Sequence, residues 1–121
     1  MMTKFEGVFP AIITPMAADG SLNEAAYRQV MEFNIQAGVQ GFWVAGGTGE
    51  SVLLDDAENR RIAEIVADQS QGRIANIMHV GAPTTTRSAR LAEHAQARPE
   101  ALALLHPDAA WTWRELHARV D

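Results

Sequence analysis

Three apolar stretches rich in β-branched and aromatic residues divide the chain, at residues 8–14, 41–45 and 74–80. None alternates cleanly between polar and apolar positions, which is the pattern of strands buried on both faces. Each is followed by apolar residues at helical spacing: Ala26, Val30, Phe33 and Ala37, then Ile62, Ile65 and Val66, then Leu91, Ala92 and Ala95. The stretches begin at residues 8, 41 and 74, an even interval that a strand, a crossover helix and two loops would fill. The pattern predicts an α/β fold of three successive βα units. Pro10 weakens the first strand, because proline cannot donate to a ladder.

Punctuation supports the helices. Ser21 and Glu24 have the spacing of a capping box, Asp55, Asp56 and Glu58 put negative charge at the start of the second helix, and Thr84, Thr85 and Thr86 offer hydroxyl caps for the third. Gly38 and Gly72 fit helix stops. These residues begin and end helices, and none is a site by itself.

Beyond Ala95 the βα rhythm is not continued. Residues 96–121 hold two of the three tryptophans, Trp111 and Trp113, and two prolines, Pro99 and Pro107. A short strand over residues 102–106, a turn at Pro107 and Asp108, and a helix opening with Thr112 and Glu115 would account for this segment locally.

At 121 residues the chain has room for one ordinary domain with a real core. Hydrophobic residues at 47% and charged residues at 21% describe a soluble globular protein. A net charge of -5 argues against nucleic acid or an anionic membrane as the main partner. With no cysteine there is no disulfide, thiolate metal site or cysteine nucleophile, and His94, His106 and His117 have no metal-ligand spacing with carboxylates. The first ten residues show no long apolar signal region, so a cytoplasmic location is expected. Lys4 is the one lysine beside nine arginines, and Tyr27 is the one tyrosine. A mechanism that needs a buried amine and a phenol acid has almost nothing to draw on.

The strongest local signal is Val-Ala-Gly-Gly-Thr-Gly-Glu-Ser at residues 44–51, between the second strand and its helix. Gly46, Gly47 and Gly49 let the backbone turn and leave amides uncovered, and Thr48 adds a hydroxyl. Ligands of parallel α/β proteins sit at the carboxyl ends of strands, so the place suits a small anion. A purely structural turn would use the same glycines, and the lysine of a phosphate-binding loop is missing. Glu50 reads as structural, since a carboxylate beside an anion-binding loop disfavours the ligand unless turned away or hydrogen-bonded. His79 fits either a core histidine or a polar group near a ligand. Phe42 and Trp43 read as sheet wall, and Arg60 and Arg61 as a solvated helix face.

GVFPAIITPM at residues 7–16, DGSLNEAAYRQVMEFNIQAGVQGFWVAGGTGES at 19–51 and HVGAPTT at 79–85 together resemble the opening of the dihydrodipicolinate synthase and N-acetylneuraminate lyase family. The resemblance covers residues of about 5 to 95. It implies part of a (β/α)8 TIM barrel, about three βα units long, with a short C-terminal tail. It implies chemistry in which pyruvate or a related 2-oxo acid forms a Schiff base with a lysine before carbon–carbon cleavage or condensation. Carried over by position, Gly47 and Thr48 are the substrate-binding residues that hold the carboxylate. Gly47 lacks the hydroxyl that many members carry there, which leaves the substrate class open.

The family's Schiff-base lysine and tyrosine acid lie on later strands, past the point where the resemblance stops. Lys4 precedes the first strand and Tyr27 falls in the first helix, so neither replaces them. The resemblance therefore implies no catalytic residue, metal or cofactor in this chain, which is expected to be an inactive fragment of a lyase. Residues 97–121 resemble the start of the adenylate-forming acyl-CoA synthetases, without reaching their nucleotide-binding motifs. The expected division is residues 1–95 as the barrel part and 96–121 as an unrelated tail. The expected partners are a small 2-oxo acid, and either further copies of the chain or a protein supplying the missing strands, with no nucleic acid and no membrane. The alternatives are a non-catalytic module that binds a small carboxylate or caps a barrel subunit, and a gene-fusion remnant without function.

Overall fold

The structure is a computed structural model that describes residues 5–96, 102–106 and 109–112, with side chains described up to residue 93. In chain order the elements are α1 (Glu24–Gln36), β1 (Gly41–Val44), a 3-10 turn (Ser51–Leu53), α2 (Asp56–Ser70), β2 (Ala75–Met78), α3 (Thr85–Gln96), β3 (Leu102–His106) and β4 (Ala109–Thr112). The strands form one sheet in the order β1-β2-β3-β4. β1 pairs with β2 in parallel and in continuous register from Gly41↔Ala75 to Val44↔Met78, and β2 pairs with β3 in parallel at Ile77↔Leu102. β4 turns back antiparallel on β3. The α/β class is as the apolar pattern predicts.

Residues 8–14 run beside β1 without becoming a full strand. The Trp43 amide donates to the Pro10 carbonyl and the Ile12 amide donates to the Trp43 carbonyl, at 3.0 and 3.1 Å, but the pairing amounts to the single parallel bridge Ala11↔Trp43. Pro10 has no N–H to return, so the ladder cannot lengthen through it.

One expectation about caps needs correction. The α1 cap is Asn23, whose side chain accepts from the Ala26 amide at 3.0 Å, while Ser21 is engaged by the Asp19 carboxylate instead. Asn23 lies directly before the first helical residue, which is where a cap must stand. At the other end, Thr112 is the last residue of β4, and the helix expected to follow it lies outside the described residues. A chain returning from β3 satisfies its backbone groups against that strand at once, and Thr112 pairs with Leu102. Pro107, Asp108, Trp113 and Glu115, like Lys4, lie outside the described residues. The strand predicted over 102–106 is β3.

The other punctuation performs as expected. Asp55 and Glu58 form a reciprocal capping box on α2, Thr84 caps α3 through the Arg87 amide, Gly38 follows α1 at φ of +91°, and α2 ends on Gln71 in the left-handed conformation with Gly72 behind it at +73°.

All three helices lie on one face of the sheet. Tyr27 and Met31 of α1, Ile62, Ile65 and Val66 of α2, and Leu91 of α3 share a core with Ile12, Phe42, Val44, Met78 and Val80. Tyr27 and Phe42 are wholly buried, and burying a large apolar side chain contributes roughly 1.5–3 kcal/mol. Ion pairs stitch the outer surface, Arg28 to Asp68 and Arg61 to Glu24 between α1 and α2, and Arg87 and Arg90 to Asp56 between α3 and α2. Arg61 is thus exposed, as expected, yet paired.

Strand alternation sends the intervening side chains to the opposite face. Phe42, Val44, Asn76, Met78 and Val80 point towards the helices, where Asn76 donates to Ser70 of α2. Ala11, Ile13, Trp43, Ile77 and His79 therefore point the other way. No described helix covers that side, and Ile13 is 52% exposed.

Candidate functional site

The polypeptide leaves β1 at Val44 and turns through residues 45–50 before entering the 3-10 turn. Several contacts set this path. Ala45 and Glu50 both take positive φ, at 50° and 59°, unusual for non-glycine residues. A methyl group on Gly46 would overlap the Trp43 indole nitrogen, so the loop lies directly over that ring. A methyl on Gly49 would come within 2.9 Å of the Ala45 Cα, and the buried Thr14 hydroxyl donates to the Gly49 carbonyl at 2.7 Å. The Glu50 amide donates to the Gly47 carbonyl at 3.0 Å and the Ser51 amide to the Gly46 carbonyl at 3.2 Å.

These constraints hold Gly46 and Gly49 inside and present Gly47 and Thr48 at the exposed tip. Nothing lies within 4 Å of where a Cβ of Gly47 would stand. Among the described residues, the amides of Gly47 and Thr48 donate to no protein acceptor. Two adjacent amides and a hydroxyl, anchored from below by Thr14, form an exposed donor set suited to a carboxylate-sized anion. Glu50 is exposed beside them and makes no side-chain cap.

His79 stands at the carboxyl end of the neighbouring strand, where its amide continues the ladder by donating to the Val44 carbonyl at 2.9 Å. Its side chain is half-buried, and Nδ1 is buried with no hydrogen-bond partner. The Tyr27 hydroxyl is buried without a partner as well, deep between α1 and the sheet, where burial pushes its ionisation well above the usual phenol range. A phenol so placed stays protonated and cannot reach the loop face. Among the described residues no cluster of histidine, aspartate and glutamate could hold a metal, and no helix is long and apolar enough to cross a membrane.

Sequence reasoning placed Gly47 and Thr48 at the loop but missed Thr14 as its anchor. The signal was a hydroxyl residue at the end of an otherwise apolar run, where a buried hydroxyl needs a partner.

A mainly parallel sheet with helices on one face and a glycine loop at the carboxyl end of a strand defines this as part of an α/β protein with its site at the strand ends. The dihydrodipicolinate synthetase family model matches residues 4–105, and the chain belongs to that family. The match includes all of β3 except His106, and so runs into the segment expected to be an unrelated tail. An N-acetylneuraminate lyase of Escherichia fergusonii is 38% identical over 96 residues, which are 79% of this chain and 32% of that protein. In structure the chain is similar to the Proteus mirabilis N-acetylneuraminate lyase, with TM-score 0.78, 35% identity, and coverage of 84% of this chain and 34% of the other. It is similar also to the Aquifex aeolicus dihydrodipicolinate synthase, with TM-score 0.73, 31% identity, and coverage of 77% and 31%. The fold is thus a partial TIM barrel, and the chain spans about a third of the length of the relatives it matches.

Proposed function

We propose that this chain is the amino-terminal part of a cytoplasmic lyase that acts on a 2-oxo acid through a lysine Schiff base, and that by itself it binds the carboxylate without catalysing the reaction. The observation that carries this reading is the loop at Gly47 and Thr48, which offers two unsatisfied amides and a hydroxyl at the carboxyl end of a strand. Carbinolamine formation needs an amine beside the bound carbonyl. The chain's one lysine, Lys4, precedes every element of the sheet.

The chain should bind pyruvate saturably, with shifts at the Gly47 and Thr48 amides in a 15N-resolved titration. Incubation with pyruvate and borohydride should leave its intact mass unchanged. A reduced pyruvate adduct on the protein would overturn the catalytic part of the reading, and flat Gly47 and Thr48 resonances up to tens of millimolar pyruvate would overturn the binding part.

The proposal includes the division at residue 95, with a tail like the start of the adenylate-forming acyl-CoA synthetases. It is supported by the tail's change of composition and by the antiparallel return of β4, which departs from strand-helix alternation. Sequencing the source DNA across the codons for residues 94–98 and beyond residue 121 tests it. An uninterrupted barrel frame encoding a later lysine and tyrosine would remove the tail and leave the lyase.

A further inference from the structure

The geometry points to His79 as a second ligand-binding element of the strand-end site, donating a hydrogen bond from Nε2 to an oxygen of the small carboxylate held by the Gly47 and Thr48 loop. This rests on the reading of that loop as a carboxylate site and adds to it a group on a different strand.

Three observations carry it. The first is position. β1 and β2 are adjacent parallel strands in register, and the His79 amide bonds to Val44, the last residue of β1 before the loop begins. Met78 and Val80 on either side of His79 belong to the helix-side core, so its side chain leaves the sheet on the face of Trp43. The loop packs over that same indole, because a methyl on Gly46 would overlap it. The imidazole and the loop therefore share one face and one end of the sheet, on strands spaced about 4.8 Å apart.

The second observation is the state of the ring. Nδ1 is buried with no partner, whereas Nε2 makes no described hydrogen bond and is not sealed in the same way. A neutral imidazole carries one proton. Placed on Nδ1 it would be a buried donor facing no acceptor, and placed on Nε2 it lies on the open edge of the ring. With its proton on Nε2 the ring presents a donor at its less buried edge, which suits an anionic oxygen.

The third is the room made for the ring. A methyl on Gly81 would come within 2.7 Å of Nε2 and 3.0 Å of Cε1, so the missing side chain at Gly81 is what allows the imidazole to lie where it does. The φ of Gly81 is not positive, so alanine there strains no backbone and acts on the ring alone.

The test is a titration of the full chain with pyruvate, following the imidazole nitrogens and the Gly47 and Thr48 amides by 15N NMR. The free protein should show Nε2–H with Nδ1 bare, and Nε2 should shift on the same isotherm as the two amides. His79→Phe should weaken pyruvate binding about tenfold, equivalent to about 1.4 kcal/mol, as for one hydrogen bond to a charged group. Gly81→Ala, which keeps the imidazole but displaces it, should weaken binding severalfold while amide dispersion shows the fold intact. Amides that shift while Nε2 does not, or a proton found on Nδ1, would overturn the role of His79 and leave the loop reading standing. Amides that do not shift at all would overturn the loop reading, and the proposal with it.

Discussion

Thr14 spans 35 positions of sequence to donate its hydroxyl to the Gly49 carbonyl at 2.7 Å, and both residues are buried. That bond closes the underside of the loop whose tip carries Gly47 and Thr48. Thr14→Val keeps the shape, removes the donor, and leaves a buried carbonyl unsatisfied, at a cost of about 1–3 kcal/mol. The expected result is a lower urea midpoint with unchanged m-value, together with broadened amide signals over residues 46–50. An unchanged midpoint would mean that the loop is held by its glycine geometry alone. Serine at position 14 should restore most of the loss, because it returns the hydroxyl. The site thus depends on a residue whose own side chain never faces the ligand.

Among the elements, α1, α2 and the turn before β2 are tied by one carboxylate. Glu32 of α1 accepts from both terminal nitrogens of Arg73 at 3.0 and 2.8 Å and from Gln69 of α2 at 2.8 Å. The Arg73 guanidinium, and then Gln69, hold the Glu32 carboxyl down to about 2, from an ordinary value of 4.5. A carboxylate depressed in the folded state contributes stability that is fully present above the unfolded value and is lost as pH falls towards the folded one. Stability should therefore decline from about pH 4.5 to about pH 2. Glu32→Gln should make that slope shallower, and added salt should do the same to the wild-type chain. Asp19, Glu24, Asp56 and Glu64 are also lowered by hydrogen bonds, from Ser21 for Asp19 and from arginines for the others, so part of the slope will survive. Acid melts of the two proteins giving superimposable slopes would show that the cluster does not hold the elements together.

At the scale of the molecule, the sheet is covered by helices on one side, while on the other Ile13 is exposed and Trp43 half-buried although Ile77 is buried, with Val8 62% exposed beside β1. Parallel sheets are found with both faces buried, and an open apolar face and edge favour pairing with another chain. The chain alone should associate, appearing larger than a monomer in light scattering and binding a hydrophobic dye. A sharp two-state melt of a monodisperse monomer would contradict this.

Much of this arrangement could be read in the sequence because it depends on neighbours along the chain. Apolar runs at 8–14, 41–45 and 74–80 and helical spacing behind them predict βα units, since strand and helix periodicity are local properties. The glycines at 46, 47 and 49 mark a turn because backbone freedom belongs to the residue itself. Tertiary structure decided the rest. Asn23 rather than Ser21 caps α1, because only Asn23 stands directly before the helix. Thr112 pairs with Leu102, a ladder contact that the local pattern cannot reveal. Thr14 meets Gly49, and His79 joins the end of β1, only when two strands align in parallel, which brings together residues that share no local signal. Periodicity and composition thus determined the elements and their order, while the facing of each side chain and its partner followed from register, the one quantity that the packed sheet alone supplies.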